Sequence, residues 1–130
     1  MAQAIDLKLV HEDARGELYA INLPDNREIM LLHSKAGTLR GGHSHSVPEQ
    51  VLVLTGRMLY HKMPPGRSGI VLELEPGDCS FNDAGVIHMG QFETDAWVLE
   101  LKLAKKGEWT QENYPPWREM VEANIREFRA

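Results

Sequence analysis

Short apolar segments separated by turn residues recur along most of this chain of 130 residues, and they constrain its fold more than any other feature. Gly, Pro, Asp and Asn stand between the segments and end them. The strands predicted in this way cover residues 5–10, 17–21, 27–33, 40–45, 50–54, 57–63, 70–74, 79–81, 86–92 and 96–103. Such even punctuation is typical of an antiparallel barrel or jelly roll. The sequence therefore predicts an all-β fold, a small antiparallel jelly-roll barrel.

The C-terminal segment has a different pattern. After Pro115 and Pro116, apolar residues recur at the spacing of one face of a helix, with charged residues between them. The apolar stripe consists of Trp117, Met120, Val121, Ile125 and Phe128. We therefore predict an amphipathic helix over about residues 116–128, which either covers the barrel or forms the seam of a homodimer. The length predicts one domain, residues 1–130, with the barrel core at about 27–104.

The composition excludes several classes of partner. With 42% hydrophobic and 25% charged residues, it is ordinary for a water-soluble protein. No apolar run approaches the length of about 18 residues that a membrane span needs, and no signal peptide is visible. One cysteine, Cys79, cannot form an internal disulfide, which predicts a cytoplasmic location. A net charge of −5 without a basic cluster argues against nucleic acid and anionic membranes as partners.

Two stretches carry candidate chemistry. In an extended strand, His43 and His45 point to the same face, and Glu49 keeps the same parity. Two neutral nitrogens and one anionic oxygen on one concave face form a ligand set for a divalent transition metal. The second stretch runs from Gly77 through the turn at residues 82–85 to His88. A third imidazole therefore stands at the start of a strand after a tight turn.

Together these stretches resemble the two motifs of the cupin superfamily. The first motif, Gly-x5-His-x-His-x3-Glu-x6-Gly, is matched at Gly37, His43, His45, Glu49 and Gly56. The second, Gly-x5-Pro-x-Gly-x2-His-x3-Asn, is matched at Gly77, Gly85 and His88. The sequence departs from the pattern at Asp83, where the family has Pro, and at Phe92, where it has Asn. The resemblance covers residues 37–92.

The resemblance implies a small cupin barrel that holds one divalent metal inside. Its ligands would be His43, His45, Glu49 and His88, a set of three histidines and one glutamate. This set suits Fe, Mn, Ni, Co, Cu or Zn, and it leaves one or two positions for water or substrate. Loss of the metal with the barrel retained is the alternative. Asp83 and Phe92 lie outside the ligand set and are predicted to shape the mouth of the pocket.

A narrower likeness concerns residues 13–18, 40–45 and 49–56. These segments resemble cupins that isomerise or epimerise nucleotide-linked deoxysugars. Such enzymes work without metal, so the likeness implies His43 or His45 as the base that removes a proton next to a carbonyl. Glu49 argues against this alternative, since a metal-free isomerase has no need of a complete ligand set.

Residues outside the motifs supply further candidates. Arg40 is predicted to bind an anionic group of a substrate, because a guanidinium forks onto a carboxylate or phosphate. Tyr60 is predicted to act as an acid in the pocket, and its neighbour His61 must then face outward. Cys79 is predicted to be a small core residue and Trp97 to pack inside the barrel, while Trp109 and Trp117 are predicted to dock the C-terminal segment.

Three functions are consistent with these predictions. The first is a metal-dependent enzyme acting on a small polar substrate, of the dioxygenase, isomerase or lyase type. The second is the metal-free nucleotide-sugar isomerase or epimerase, and the third is a non-catalytic module that binds a metal or a small ligand. The fold alone does not choose among them.

Overall fold

The computed structural model describes residues 6–129 and the side chains of residues 6–126, and this part of the chain forms eleven strands and one helix. The strands are β1 (Asp6–Asp13), β2 (Gly16–Asn22), β3 (Arg27–Ser34), β4 (Leu39–His45), β5 (Glu49–Thr55), β6 (Met58–Met63), β7 (Ile70–Leu74), β8 (Cys79–Asn82), β9 (Ile87–Phe92), β10 (Ala96–Lys105) and β11 (Gln111–Asn113). The helix is α1 (Pro115–Arg129). Ten of these strands coincide with the predicted segments, and β11 was not predicted.

Two antiparallel sheets form the barrel. The six-stranded sheet has the order β1-β2-β3-β10-β5-β8, and the five-stranded sheet has the order β11-β4-β9-β6-β7. Every pairing of neighbouring strands is antiparallel. The chain crosses from one sheet to the other several times, for example between β3 and β4. This arrangement confirms the prediction of an all-β jelly-roll barrel with a C-terminal helix.

The core lies between the sheets because alternate residues of each strand point inward. Its buried members are Leu32, Val51, Val53, Met58, Tyr60, Leu74, Phe92, Ala96 and Val98. They fill one half of the interior. In the other half, the inward positions of β4, β9 and β10 carry polar and charged side chains, and a cavity replaces the apolar packing.

Helix α1 packs on the outer face of the five-stranded sheet. Pro115 occupies its first position, where a missing N–H costs nothing. Val121 is buried and Trp117 is half-buried, whereas Met120 is exposed. Phe128, the last residue of the predicted stripe, lies outside the described side chains. Among the described residues, no helix is long and apolar enough to cross a membrane.

Two predictions about individual side chains are wrong. Cys79 is exposed and does not belong to the core. Trp97 lies on the outer face of the six-stranded sheet, where it stacks on His33 with ring centroids 4.5 Å apart. Its neighbours Ala96 and Val98 occupy the buried positions, and the alternation of β10 therefore turns the indole outward.

Candidate metal centre

Strands β4 and β9 bring the three motif histidines together. His43 pairs directly with His88 across the two strands, and His45 follows on the same face of β4 as predicted. The three rings lie with centroids 4.7, 4.8 and 5.1 Å apart, and one nitrogen from each ring lies within 4.8 Å of the others. His45 and His88 are buried, and His43 is half-buried.

A glycine bulge precedes His43 and lets the two strands approach. The register of β4 against β9 shifts between Gly41 and His43, so that Gly42 is the extra residue. Gly41 has a φ of 107°, a backbone conformation that residues with a side chain rarely adopt. A Cβ atom on Gly41 would lie 2.8 Å from the backbone oxygen of His88. Glycine at position 41 therefore allows the backbone of β4 to approach that of β9 closely.

Glu49 lies beside the histidine cluster and is only 1% exposed. Its Oε1 lies 3.2 Å from His45 Nδ1 and 3.0 Å from His88 Nε2, and its Oε2 lies 3.8 Å from Lys102 Nζ. Burial alone would raise the pKa of this carboxyl, but the contact with His45 and the charge of Lys102 lower it below its ordinary value. Glu49 is therefore an anion at neutral pH.

The imidazoles of His43 and His88, in contrast, are neutral at neutral pH. Burial lowers the pKa of His43 to about 3, with the neighbouring rings of His88 and His45 adding to the effect. Burial also lowers the pKa of His88. His88 Nδ1 lies 3.1 Å from the carbonyl oxygen of Val86, and we assign the N–H to this nitrogen, which donates to that oxygen. His88 Nε2 is then a bare lone pair directed at the carboxylate.

This geometry leaves buried acceptor atoms without donors. His88 Nε2 and Glu49 Oε1 are both acceptors at 3.0 Å, and two acceptors this close repel each other in a dry site. His45 Nδ1, His88 Nε2 and Glu49 Oε2 have no hydrogen-bond partner among the described residues. A divalent cation among them would satisfy these lone pairs. The residues present therefore fit a metal of the kind the sequence predicts, with the three histidines as the compact cluster and Glu49 at its edge.

The cluster opens onto a cavity of about 410 Å³. Arg40 and Tyr60, the two residues predicted to take part in catalysis, both line this cavity. The hydroxyl of Tyr60 accepts a 2.7 Å hydrogen bond from Asn82 Nδ2, while His61 points outward to Gln91. Burial and the charge of Glu49 raise the pKa of Tyr60 well above 10.0, so that its phenol stays protonated.

The two departures from the motif occupy different surroundings. Phe92 is buried in the core and lines the inner part of the cavity. Asp83 is exposed, and it is not among the described residues that line the cavity. The prediction that both shape the pocket mouth is therefore wrong: Asp83 lies outside the cavity wall, and Phe92 belongs to the buried core.

Three residues of the site were not recognised in the sequence. Lys102 is buried, and its Nζ lies 4.3 Å from the centroid of the Trp109 ring. Trp109 meets His45 edge to face at 5.3 Å and lines the cavity, and its role in docking the C-terminal segment stays a prediction. Asn82 Nδ2 lies 3.4 Å from Glu49 Oε1. The sequence could have indicated Lys102, because it lies four residues after Val98 on β10 and so points to the same, inward face.

Comparison with solved structures identifies the fold. The chain superposes on the capsular polysaccharide assembling protein CapF from Staphylococcus aureus with a TM-score of 0.68 at 17% identity, covering 87% of this chain and 32% of that one. It superposes on the Drosophila melanogaster CENP-C cupin domain with a TM-score of 0.59 at 17% identity, covering 75% of each chain. The chain has the cupin fold. An oxalate decarboxylase from Bacillus subtilis also matches, with a TM-score of 0.60 at 19% identity, covering 75% of this chain and 27% of that one.

These similarities concern the fold alone. This chain spans about a third of the length of the CapF structures it matches. No protein-family model and no curated protein sequence matches the chain. What the protein does must therefore be argued from its own site.

Proposed function

We propose that this cupin binds one divalent transition metal through His43, His45 and His88, with Glu49 as the fourth ligand. We further propose that it is a metal-dependent enzyme acting on a small polar substrate, of the dioxygenase, isomerase or lyase type. One observation carries the proposal: His45 Nδ1, His88 Nε2 and Glu49 Oε2 are buried at this site without a hydrogen-bond partner among the described residues. Sites of this kind are costly unless a cation occupies them.

The chemistry divides between the metal and the protein. A bound divalent metal supplies a Lewis acid that polarises a substrate oxygen. The barrel keeps bulk water away from a substrate in the cavity, because the apolar core closes its inner end. Tyr60 keeps its proton at neutral pH, and its ring centroid lies 5.8 Å from that of His88. Its phenol is therefore the group that we propose to donate a hydrogen bond or proton to the substrate.

The metal-free alternative is less well supported. A histidine that removes a proton from a substrate works best with a pKa near the operating pH. His43 faces the cavity, but its pKa is lowered to about 3, which makes it a weak base. The alternative also leaves the buried lone pairs of His88 and Glu49 unsatisfied. The non-catalytic alternative differs from our proposal only in the absence of turnover.

Elemental analysis tests the metal site. The protein is stripped with a chelator, reloaded separately with Fe(II), Mn, Co, Ni, Cu and Zn, and freed of excess metal. We expect about one ion per chain for at least one of these metals. His45→Ala should lose most of it and keep the β-sheet circular dichroism of the wild type, because the core is apolar. His61→Ala is the matched control, since His61 lies on the outer face against Gln91.

A metal content near zero in the reloaded wild type would overturn the proposal. If metal binds and a wide panel of small polar substrates gives no turnover, the non-catalytic alternative is the correct one.

We also propose a cytoplasmic location. The one cysteine in the sequence, Cys79, has an exposed thiol, and this agrees with a compartment in which thiols stay reduced.

A further inference from the structure

Arg40 lies in the wall of the histidine cavity and is only partly used by the protein. Its Nε donates to Ser34 Oγ at 2.6 Å, and its Nη2 donates to the backbone oxygen of His33 at 3.3 Å. A guanidinium carries five N–H groups. Two of them are engaged in this way, and two on Nη1 and one on Nη2 remain. The side chain is therefore held in place by β3 and still has an edge free for a ligand.

Arg40 also lacks an ion-pair partner. The other charged side chains of the cavity wall each have a partner of opposite charge: Arg15 with Asp13 at 2.7 Å, Arg118 with Glu122 at 2.8 Å, Glu28 with Lys106 at 3.8 Å, and Lys102 with both Glu49 and Glu100 at 3.8 Å. Arg40 takes part in none of the ion pairs found among residues 6–126. Arg40 is therefore a half-buried cation without a carboxylate at ion-pair distance, although Glu49 and Glu100 share the single cation Lys102 and keep the wall as a whole close to neutral.

The free edge of Arg40 selects a ligand class. Two neighbouring N–H groups in one plane match the two oxygens of a carboxylate. Because the wall is close to neutral, a monoanionic carboxylate adds less uncompensated charge than a phosphate monoester, which carries nearly twice that charge at neutral pH. Burial lowers the pKa of Arg40, which is the direction expected for a cation that lacks both water and a counter-ion.

We propose that the substrate is a small carboxylic acid whose carboxylate binds the free edge of Arg40 while its other end reaches the histidine cluster. The contact with the histidine cluster rests on the proposed function, whereas the contact with Arg40 is independent of it. Arg40 pairs with Gly90 and His43 with His88, so that two residue steps of β9, roughly 7 Å, separate the two positions along the sheet. The cavity volume of about 410 Å³ lies at the lower end of the range for small-molecule sites. A substrate of a few carbon atoms fits both limits.

Binding of simple dicarboxylates tests the inference. Oxalate, malonate, succinate and glutarate are titrated into zinc-loaded and metal-free protein and followed by calorimetry and by NMR of the arginine side-chain N–H groups. The corresponding diamides are the uncharged controls. We expect at least one dicarboxylate to bind the wild type, with the preferred chain length reporting the span from Arg40 to the histidines. Its diamide should bind at least tenfold more weakly.

Variants assign the effect to Arg40. Arg40→Gln should weaken binding of the preferred dicarboxylate at least tenfold. Arg40→Lys keeps the charge without the fork, so it should fall between Arg40→Gln and the wild type, and it decides the question if Arg40→Gln does not fold. Arg15→Gln removes a neighbouring cation that Asp13 already neutralises, and it should change the affinity less than threefold.

Two results would overturn the inference: no dicarboxylate binds the wild type at millimolar concentration, or the Arg40 variants bind as tightly as the wild type. The metal proposal fails separately. If the protein takes up no metal but metal-free protein binds carboxylates through Arg40, the anion site stands and the metal assignment is wrong. If metal binds and the Arg40 variants have no effect, the metal assignment stands alone.

Discussion

Among single residues, Tyr60 combines deep burial with a hydroxyl that has one partner, Asn82. The pKa of Tyr60 is raised above 10.0, so the folded state holds this proton more tightly than the unfolded state. The resulting stability is fully present below pH 10 and is lost as the pH rises through the folded-state pKa. Tyr60→Phe removes this contribution and leaves the amide of Asn82 without its acceptor.

We therefore expect Tyr60→Phe to lower the free energy of unfolding by about 1–2 kcal/mol at neutral pH. The difference from wild type should shrink as the pH rises above 10. Urea unfolding of both proteins at neutral and alkaline pH measures it. A difference that stays constant with pH would contradict this expectation, because it would mean that the pKa of Tyr60 is not raised by folding.

Asp83 gives a second prediction at this scale. The hydrogen bonds of its turn run from Val86 N to the oxygen of Asp83 and from Gly85 N to the oxygen of His45, and neither uses the N–H of Asp83. Asp83→Pro should therefore be accommodated and should stabilise the protein by about 0.4–1 kcal/mol through the unfolded state. Metal affinity, measured by competition with a chromogenic chelator, should change less than twofold. Loss of the metal would mean that the ligand set around His88 is incomplete.

At the scale of secondary structure, the bulge of β4 is the element that aligns the site. Gly41 and Gly66 both have positive φ, but only Gly41 is crowded, and a Cβ there would meet the backbone of His88 and Met89. We expect Gly41→Ala to cost about 3 kcal/mol or more and to weaken metal binding, because β9 must move away. Gly66→Ala, with open space around it, should cost about 1 kcal/mol and leave metal binding unchanged. Equal losses in the two variants would contradict this role of the bulge.

The elements were predictable from the sequence where local chemistry decides them. Strand lengths, turns and the shared face of His43 and His45 follow from alternation and from Gly and Pro, which act over a few residues. The side chains of Trp97 and Cys79 were misplaced because burial of an apolar residue depends on which face the partner sheet covers. β11 was missed because three polar residues carry no pattern, and only its pairing with β4 makes them a strand.

The candidate site shows the same division. The motif spacing predicted the compact cluster of His43, His45 and His88, whose formation requires two strands distant in the sequence to pair. Lys102 and Trp109 were not predicted as site residues, because their proximity to Glu49 and His45 depends on how β10 and β11 pair with their neighbours. The contacts of Lys102 and Trp109 with the site therefore form only when segments distant in the sequence come together in the fold.

At the scale of the whole molecule, apolar residues are exposed on both sheets, and two of these places border the edge strands β7 and β1. At one, a groove of about 610 Å³ separates α1 from β6 and β7, where Val71 is 57% and Met120 is 54% exposed. At the other, Leu7 of the edge strand β1 is 58% exposed. A soluble monomer rarely leaves contiguous apolar patches open. The groove borders β7, an edge strand of the five-stranded sheet, so a second copy could both extend the sheet and cover the groove.

We therefore predict a homodimer that buries the groove beside α1. Light scattering at micromolar concentration should give twice the chain mass of 14.7 kDa. Val71→Asp places a charge at the groove and should yield a monomer, because burying an unpaired carboxylate opposes association. Leu7→Asp is the matched control at the far edge of the other sheet and should remain dimeric. If Leu7→Asp instead gives the monomer while Val71→Asp does not, the seam lies along β1. If the wild type itself has the mass of one chain, the dimer prediction is wrong, and α1 covers the outer face of its own barrel only.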